Sequence, residues 1–163
     1  MAGEAELRLH RCCFTGHRPE KLSKSEGEIS RKLEKEIRQT IADGFRVFIT
    51  GMARGVDIWA AEIVLRLREE GHPIRLICAC PYRGFERRWP PDWQRRYHDA
   101  LEAADLVRFI SPAYSPWCFE ARNEWMVDHS ARVIAVFNGE PSGTKNTIDY
   151  ANSKDIPIKM IEA

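Results

Sequence analysis

Val47-Phe48-Ile49-Thr50-Gly51-Met52-Ala53-Arg54-Gly55-Val56-Asp57-Ile58 changes its hydrophobic pattern in mid-stretch. The first four residues form a short apolar run, as expected of a strand covered on both faces. Gly51 and Gly55 bracket a turn, and beyond it Ile58, Ala61 and Leu65 recur at helical spacing. A strand that ends in a glycine-bounded loop and runs straight into a helix is the building unit of a parallel α/β sheet.

The same unit repeats in both directions. Upstream, Leu9–Phe14 reads as a strand ending at Thr15-Gly16-His17-Arg18-Pro19. A helix follows, with Ile29, Leu33, Ile37 and Ile41 four residues apart and Gly44 placed to close it. Downstream, Ile74–Cys80 is a third strand, stopped by Pro81. Asp92 is placed to cap a helix carrying Trp93, Tyr97 and Leu101 on its inner face. Leu106–Ile110, Val133–Phe137 and Ile156–Ile161 read as further strands, separated by helices over about Phe119–His129 and Thr144–Asn152. The expected fold is a single Rossmann-like α/β domain over residues 1–163, with a core at about 9–161. It has three layers, α/β/α, around a mostly parallel central sheet.

Composition narrows the function. Of 163 residues, 44% are hydrophobic and 30% charged, which is ordinary for a globular protein. The net charge of +1 supplies no global basic field, so nucleic acid is a disfavoured partner. Five cysteines, Cys12, Cys13, Cys78, Cys80 and Cys118, show no zinc-like spacing and no CxxC pair. They read as reduced thiols packed as small apolar groups, and no metal site is expected. Met1–Arg11 has acidic residues and no apolar core of a signal peptide, and no apolar run matches a membrane span. A cytoplasmic location is expected, with no membrane partner.

In open parallel sheets, ligands bind beyond the carboxyl ends of the strands, where strand order reverses. The distinctive residues of this chain fall there. In the second loop, Gly51 permits close approach of a ligand to Thr50 and Met52. Gly55 opens a helix whose free amides and dipole favour phosphate, Arg54 is a candidate charge partner, and Asp57 a candidate acceptor for a ribose hydroxyl. The first loop adds Thr15, Gly16, His17 and Arg18, and the last adds Ser142, Gly143 and Thr144 at another helix start. Each also has a plainer structural reading: His17 as a solvated loop residue, Asp57 and Thr144 as helix-start residues. Arg122 and Asn123 begin a helix face with Met126, and Tyr82 stands among Arg83, Arg87 and Arg88, where an aromatic ring can stack on a base.

Three segments together resemble the YpsA family: Cys13-Phe14-Thr15-Gly16-His17-Arg18-Pro19, Thr50-Gly51-Met52-Ala53-Arg54-Gly55-Val56-Asp57 and Arg122-Asn123-Glu124-Trp125-Met126-Val127-Asp128. The resemblance runs from about residue 11 to the C-terminus. That family belongs to the SLOG superfamily, with DprA-type DNA-binding proteins and the "lonely guy" phosphoribohydrolases. The resemblance implies a Rossmann-like fold that binds nucleotides, nucleotide-derived signals or nucleic acid, and often dimerises. Gly51 and Gly55 match the superfamily's early glycine-rich loop, and Arg122 with Met126 matches its helical arginine. Its Gly-Gly-x-Gly-Thr loop becomes Gly139-Glu140-Pro141-Ser142-Gly143-Thr144 here, with Ser142 in place of a glycine. The glutamate that follows that loop in the hydrolases is absent; Glu120, Glu124 and Asp128 are the substitutes available.

The leading expectation is therefore binding of a nucleotide-derived small molecule such as ADP-ribose or NAD, in signalling or stress response, with no certain cofactor. Two alternatives stand beside it: a nucleotide 5′-monophosphate N-glycosidase, and DprA-like single-stranded DNA binding. A homo-oligomer is a further expectation.

Overall fold

A computed structural model describes residues 3–163. The strands are β1 (Arg11–Gly16), β2 (Val47–Thr50), β3 (Arg75–Cys80), β4 (Leu106–Phe109), β5 (Arg132–Phe137) and β6 (Ile158–Glu162). All pair in parallel, in the order β4-β3-β2-β1-β5-β6. The helices are α1 (Glu4–Arg8), α2 (Glu26–Ala42), α3 (Val56–Glu69), α4 (Pro91–Ala103), α5 (Cys118–Asp128) and α6 (Gly143–Ser153).

The period-two alternation of strand side chains sorts the core into two layers. Cys12, Phe14, Phe48, Leu76, Cys78, Cys80, Ile134 and Val136 point to one face, where α2, α3 and α4 cover them. Cys13, Ile49, Ala79, Val133 and Ala135 point to the other, under α5 and α6. Helix α2 buries Ile29, Leu33 and Ile37, one side of its amphipathic stripe, while its exposed side carries the charges. From β1 the chain steps outward through β2 and β3 to β4, then crosses back through α5 to place β5 on the far side of β1. The sheet thus reverses its strand order between β1 and β2 on one side and β5 on the other.

Several boundaries differ from the sequence reading. The first strand starts at Arg11, not Leu9, and runs on through Gly16. Leu9 caps α1 and is 54% exposed, so its apolar side chain is not part of the strand. Asp92 is not a cap: α4 begins at Pro91, whose fixed φ suits a first helical position, and Pro90 precedes it without a side-chain cap. The last helix is capped by Ser142, whose Oγ accepts the Lys145 amide at 3.1 Å, rather than by Thr144. The sheet is wholly parallel rather than mostly so.

All five cysteines are buried and unpaired. Cys12 and Cys13 point to opposite faces of the sheet, whereas Cys78 and Cys80 share one. Burial pushes the Cys13 thiol up to about 12 and the Cys80 thiol up to about 11, and raises Cys12 and Cys78 as well. Among the described residues, no group of His, Cys, Asp and Glu is arranged to hold a metal ion, and no helix is long and apolar enough to cross a membrane.

Candidate functional site

A cavity of about 400 Å³ opens at the carboxyl ends of β1 and β5, at the point where strand order reverses. Four elements wall it: the end of β1, the turn before α3, one face of α5, and the loop from β5 into α6.

From β1 come Thr15, Gly16, His17 and Arg18. His17 is not a solvated loop residue; it is 5% exposed and stacks on Phe137, with ring centroids 5.9 Å apart. The Asn138 backbone N–H donates to His17 Nε2 at 3.1 Å. That places the ring proton on Nδ1 in the neutral form. Burial lowers the His17 pKa below its ordinary value, with partial opposition from Glu140.

The turn between β2 and α3 gives the floor. Gly55 holds φ +91° as the residue before α3, and a Cβ there would lie 2.6 Å from the His17 carbonyl oxygen. Only glycine fits, because it alone tolerates both this backbone and this contact. The Val56 amide donates to that same His17 carbonyl at 3.4 Å, so the first and second loops are joined. Thr50 Oγ1 donates to the Asp57 carbonyl at 2.7 Å, pinning the first turn of α3 to the end of β2. Asp57 is 6% exposed and lines the cavity. The Ala53 amide donates to its Oδ2 at 3.2 Å, while its buried Oδ1 has no hydrogen-bond partner. Burial raises the Asp57 carboxyl to about 6, against the pull of Arg122 and the Ala53 amide.

Helix α5 contributes Phe119, Arg122, Asn123 and Met126. Arg122 is 6% exposed. Its Nη1 donates to the Gly51 carbonyl and its Nε donates to Asn123 Oδ1 at 2.8 Å. A Cβ at Gly51 would stand 3.0 Å from the guanidinium, so the glycine makes room for the arginine. Burial lowers the Arg122 pKa while Asp57 opposes that shift, though no hydrogen bond joins the two.

The last wall is the β5–α6 loop: Asn138, Glu140, Pro141, Ser142, Gly143 and Thr144. Asn138 organises it, with Oδ1 accepting the Glu140 amide at 2.9 Å and Nδ2 donating to the Lys21 carbonyl at 3.3 Å. Because Ser142 caps through Lys145, the Gly143 and Thr144 amides have no partner among the described residues. These are the helix-start donors suited to an anion.

Of the residues singled out in the sequence, Thr15, Gly16, His17, Arg18, Asp57, Arg122, Asn123, Ser142, Gly143 and Thr144 meet at this cavity. Others lie elsewhere. Thr50 and Met52 are buried beneath it, and Gly51 and Gly55 shape it without lining it. Arg54 turns away to pair with Glu20, Nη2 to Oε2 at 3.1 Å. Tyr82 joins an aromatic cluster with Phe85, Tyr114 and Phe119, of which only Phe119 reaches the cavity. Glu120 and Glu124 face a second, adjoining cavity of about 230 Å³ beside Tyr150. Asp128 lines neither, and accepts the Tyr150 hydroxyl proton at 2.7 Å. The carboxylates of the main cavity are instead Asp57 and Glu140. Lys21 and Asn138 escaped the sequence reading as site residues, and Glu140 entered it only as part of the Gly139–Thr144 loop. Phe119 could have been found, since it lies one helical turn before Arg122.

A doubly wound, wholly parallel sheet with a donor-rich cleft at its switch point defines a Rossmann-like α/β domain. The chain belongs to the YspA SLOG family, whose YpsA profile matches residues 12–163. It is similar to a UPF0398 protein of Oceanobacillus iheyensis, 29% identical over 161 residues, covering 90% of this chain and 85% of that one. It is also similar to the SPbeta prophage-derived protein YoqJ of Bacillus subtilis, 33% identical over 116 residues, covering 64% of this chain and 68% of that one. Among solved structures, DNA processing protein A (DprA) from Streptococcus pneumoniae matches with a TM-score of 0.68 at 19% identity, over 96% of this chain. DprA from Helicobacter pylori, solved for its single-stranded DNA binding mode, matches with a TM-score of 0.65 at 19% identity, over 94% of this chain. This chain spans 52% and 65% of those two proteins, so the likeness is one of fold.

Proposed function

We propose that this protein binds a nucleotide-derived small molecule, with its phosphate against the start of α6 and the rest of the ligand across the cavity. The observation that carries this reading is the convergence of unpartnered Gly143 and Thr144 amides with Arg18, Lys21 and buried Arg122 around one cleft. Backbone amides and guanidinium groups are the donors that phosphate oxygens need. A cavity of about 400 Å³ has the size of a small-molecule site rather than of a solvent crevice.

The test is calorimetric titration and thermal shift with NAD, ADP-ribose and nucleoside mono-, di- and triphosphates. A ligand at about a hundredfold excess over its Kd stabilises the native state by about 2.7 kcal/mol. Lys21→Glu, an exposed change, weakens that ligand while leaving the unliganded melting temperature in place. A flat response across the panel refutes the reading.

A second reading, single-stranded DNA binding, is favoured by one observation besides the fold. Tyr114 and Trp117 are exposed, Tyr114 packs on Tyr82 as Phe119 does, and Arg83 lies over the Phe109 ring. Exposed rings beside cations stack unpaired bases. Salt-sensitive retention of an oligonucleotide that is lost in Trp117→Ala supports it; retention unchanged by that variant counts against it.

A further inference from the structure

We infer that Asp57 selects, within this cavity, for a ligand that brings a sugar hydroxyl alongside its phosphate, and rejects a bare inorganic anion. The inference rests on the nucleotide-binding reading above and adds to it the chemistry of the group next to the phosphate.

Asp57 carries an unmet demand for a hydrogen-bond donor. Asp57 projects from the first turn of α3 into the cavity and is almost wholly buried. Its two oxygens have different surroundings: Oδ2 takes the Ala53 amide, and Oδ1 has nothing. Buried acceptors are satisfied in the great majority of folded proteins, and an exception calls for a reason. Arg122, the charged neighbour, does not supply the missing donor. Its Nε and Nη1 are already spent on Asn123 and Gly51. His17 shares the cavity but is held through Asn138 on the opposite wall.

An ionised carboxylate accepts hydrogen bonds and donates none. The other polar groups of the cavity offer mainly donors, Arg18, Lys21, Arg122 and the start of α6, while the second carboxylate, Glu140, is exposed on the outer loop and Asp57 alone is buried. A phosphate complements those groups and is repelled by Asp57. A simple polyanion therefore meets one favourable and one unfavourable wall. A ligand that satisfies both must carry its negative charge at one end and O–H donors a short distance away, which is the layout of a ribose phosphate. The unpartnered Oδ1 is the place where a ribose hydroxyl proton lands.

The experiment measures the affinity of AMP, 2′,3′-dideoxy-AMP and inorganic pyrophosphate for the native protein and for Asp57→Asn. In the native protein AMP binds about tenfold or more tightly than the dideoxy compound, the scale of a hydrogen bond to a charged acceptor. In Asp57→Asn the amide oxygen keeps the Ala53 contact and an NH₂ group faces the cavity. Most of the hydroxyl preference then disappears, and pyrophosphate binds more tightly than before. Opposite movements for AMP and pyrophosphate are what a merely structural role does not produce. Equal weakening of all three ligands in the variant, or no preference for AMP over the dideoxy compound in the native protein, overturns the inference and leaves the nucleotide reading standing. Binding of neither AMP nor pyrophosphate to the native protein removes both. The native comparison needs no variant, so it decides the matter even where Asp57→Asn folds poorly.

Discussion

Replacing Asp57 by asparagine should stabilise the unliganded protein at neutral and alkaline pH. Burial raises its carboxyl from 3.8 to about 6. A carboxyl whose folded pKa lies above its unfolded value favours the folded state fully at low pH. That contribution is lost as pH rises through the folded pKa, here between about pH 4 and pH 6. A shift of about two units corresponds to about 3 kcal/mol at about pH 8. Burial itself sets the shift, and the Arg122 guanidinium from α5 and the Ala53 amide of the preceding turn oppose it. Asparagine removes the charge but buries an NH₂ group in the place of Oδ1, so the net gain is about 2 kcal/mol. For a chain of this size that raises the melting temperature by about 4–8 °C. The assay is urea or thermal unfolding of both proteins from about pH 4 to pH 8. At the acid end, where the native carboxyl is neutral, the variant should be about 1 kcal/mol the less stable because of its buried NH₂ group; the two curves cross as pH rises and the variant is the more stable above the crossing. A variant that is less stable than the native protein at about pH 8 would falsify this reasoning, because Asp57 would then be a satisfied partner of Arg122.

Gly55→Ala should cost several kcal/mol in chemical unfolding, since a Cβ at φ +91° would meet the His17 carbonyl at 2.6 Å; a loss below about 1 kcal/mol contradicts the packing described. Nitrogen NMR should find His17 as the neutral Nδ1–H tautomer with a pKa below 6.5, and a value above that removes the buried, Asn138-bound ring. The five cysteines should resist a thiol reagent in the folded protein and react together on denaturation, so rapid labelling of Cys13 or Cys80 under native conditions is the contrary result. Arg96→Ala should lower stability by about 1 kcal/mol, because Arg96 of α4 bridges Glu62 of α3 and Glu26 of α2, at 2.6 and 3.0 Å; an unchanged unfolding midpoint shows the bridge to be idle.

The strands were legible because a parallel sheet under two helical layers needs continuous apolar runs, and Val47–Thr50 and Val133–Phe137 announce themselves that way. Helix α1 was not, since Glu4–Arg8 is too short for periodicity and buries no residue. The site residues at the strand ends were legible for a topological reason: whatever follows a strand in this fold lies at the same edge of the sheet. What sequence could not give was long-range partnership. Arg54 follows a strand and precedes a helix, as a phosphate ligand should, yet Glu20 captures it from a 3₁₀ turn far back in the chain. Glu120, Glu124 and Asp128 share a helix with Arg122 but leave it at other angles, so proximity in sequence misled. Asn138 carries no motif, and its importance appears only once it is seen holding His17 and Lys21 together.

The junction between the first two loops has a consequence for how this scaffold can change. His17, Gly55 and Val56 are interlocked at backbone level, so neither loop can lengthen or shift without unseating the other. The segment from Gly139 to Ser142 is different. Gly139, Glu140 and Pro141 are exposed, and Asn138 moors the loop at one end while α6 begins at the other. Diversity can therefore be admitted on that side alone. A library of inserts between Asn138 and Gly143 would present new chemistry to an unaltered floor, which makes this domain a natural chassis for engineered small-molecule receptors.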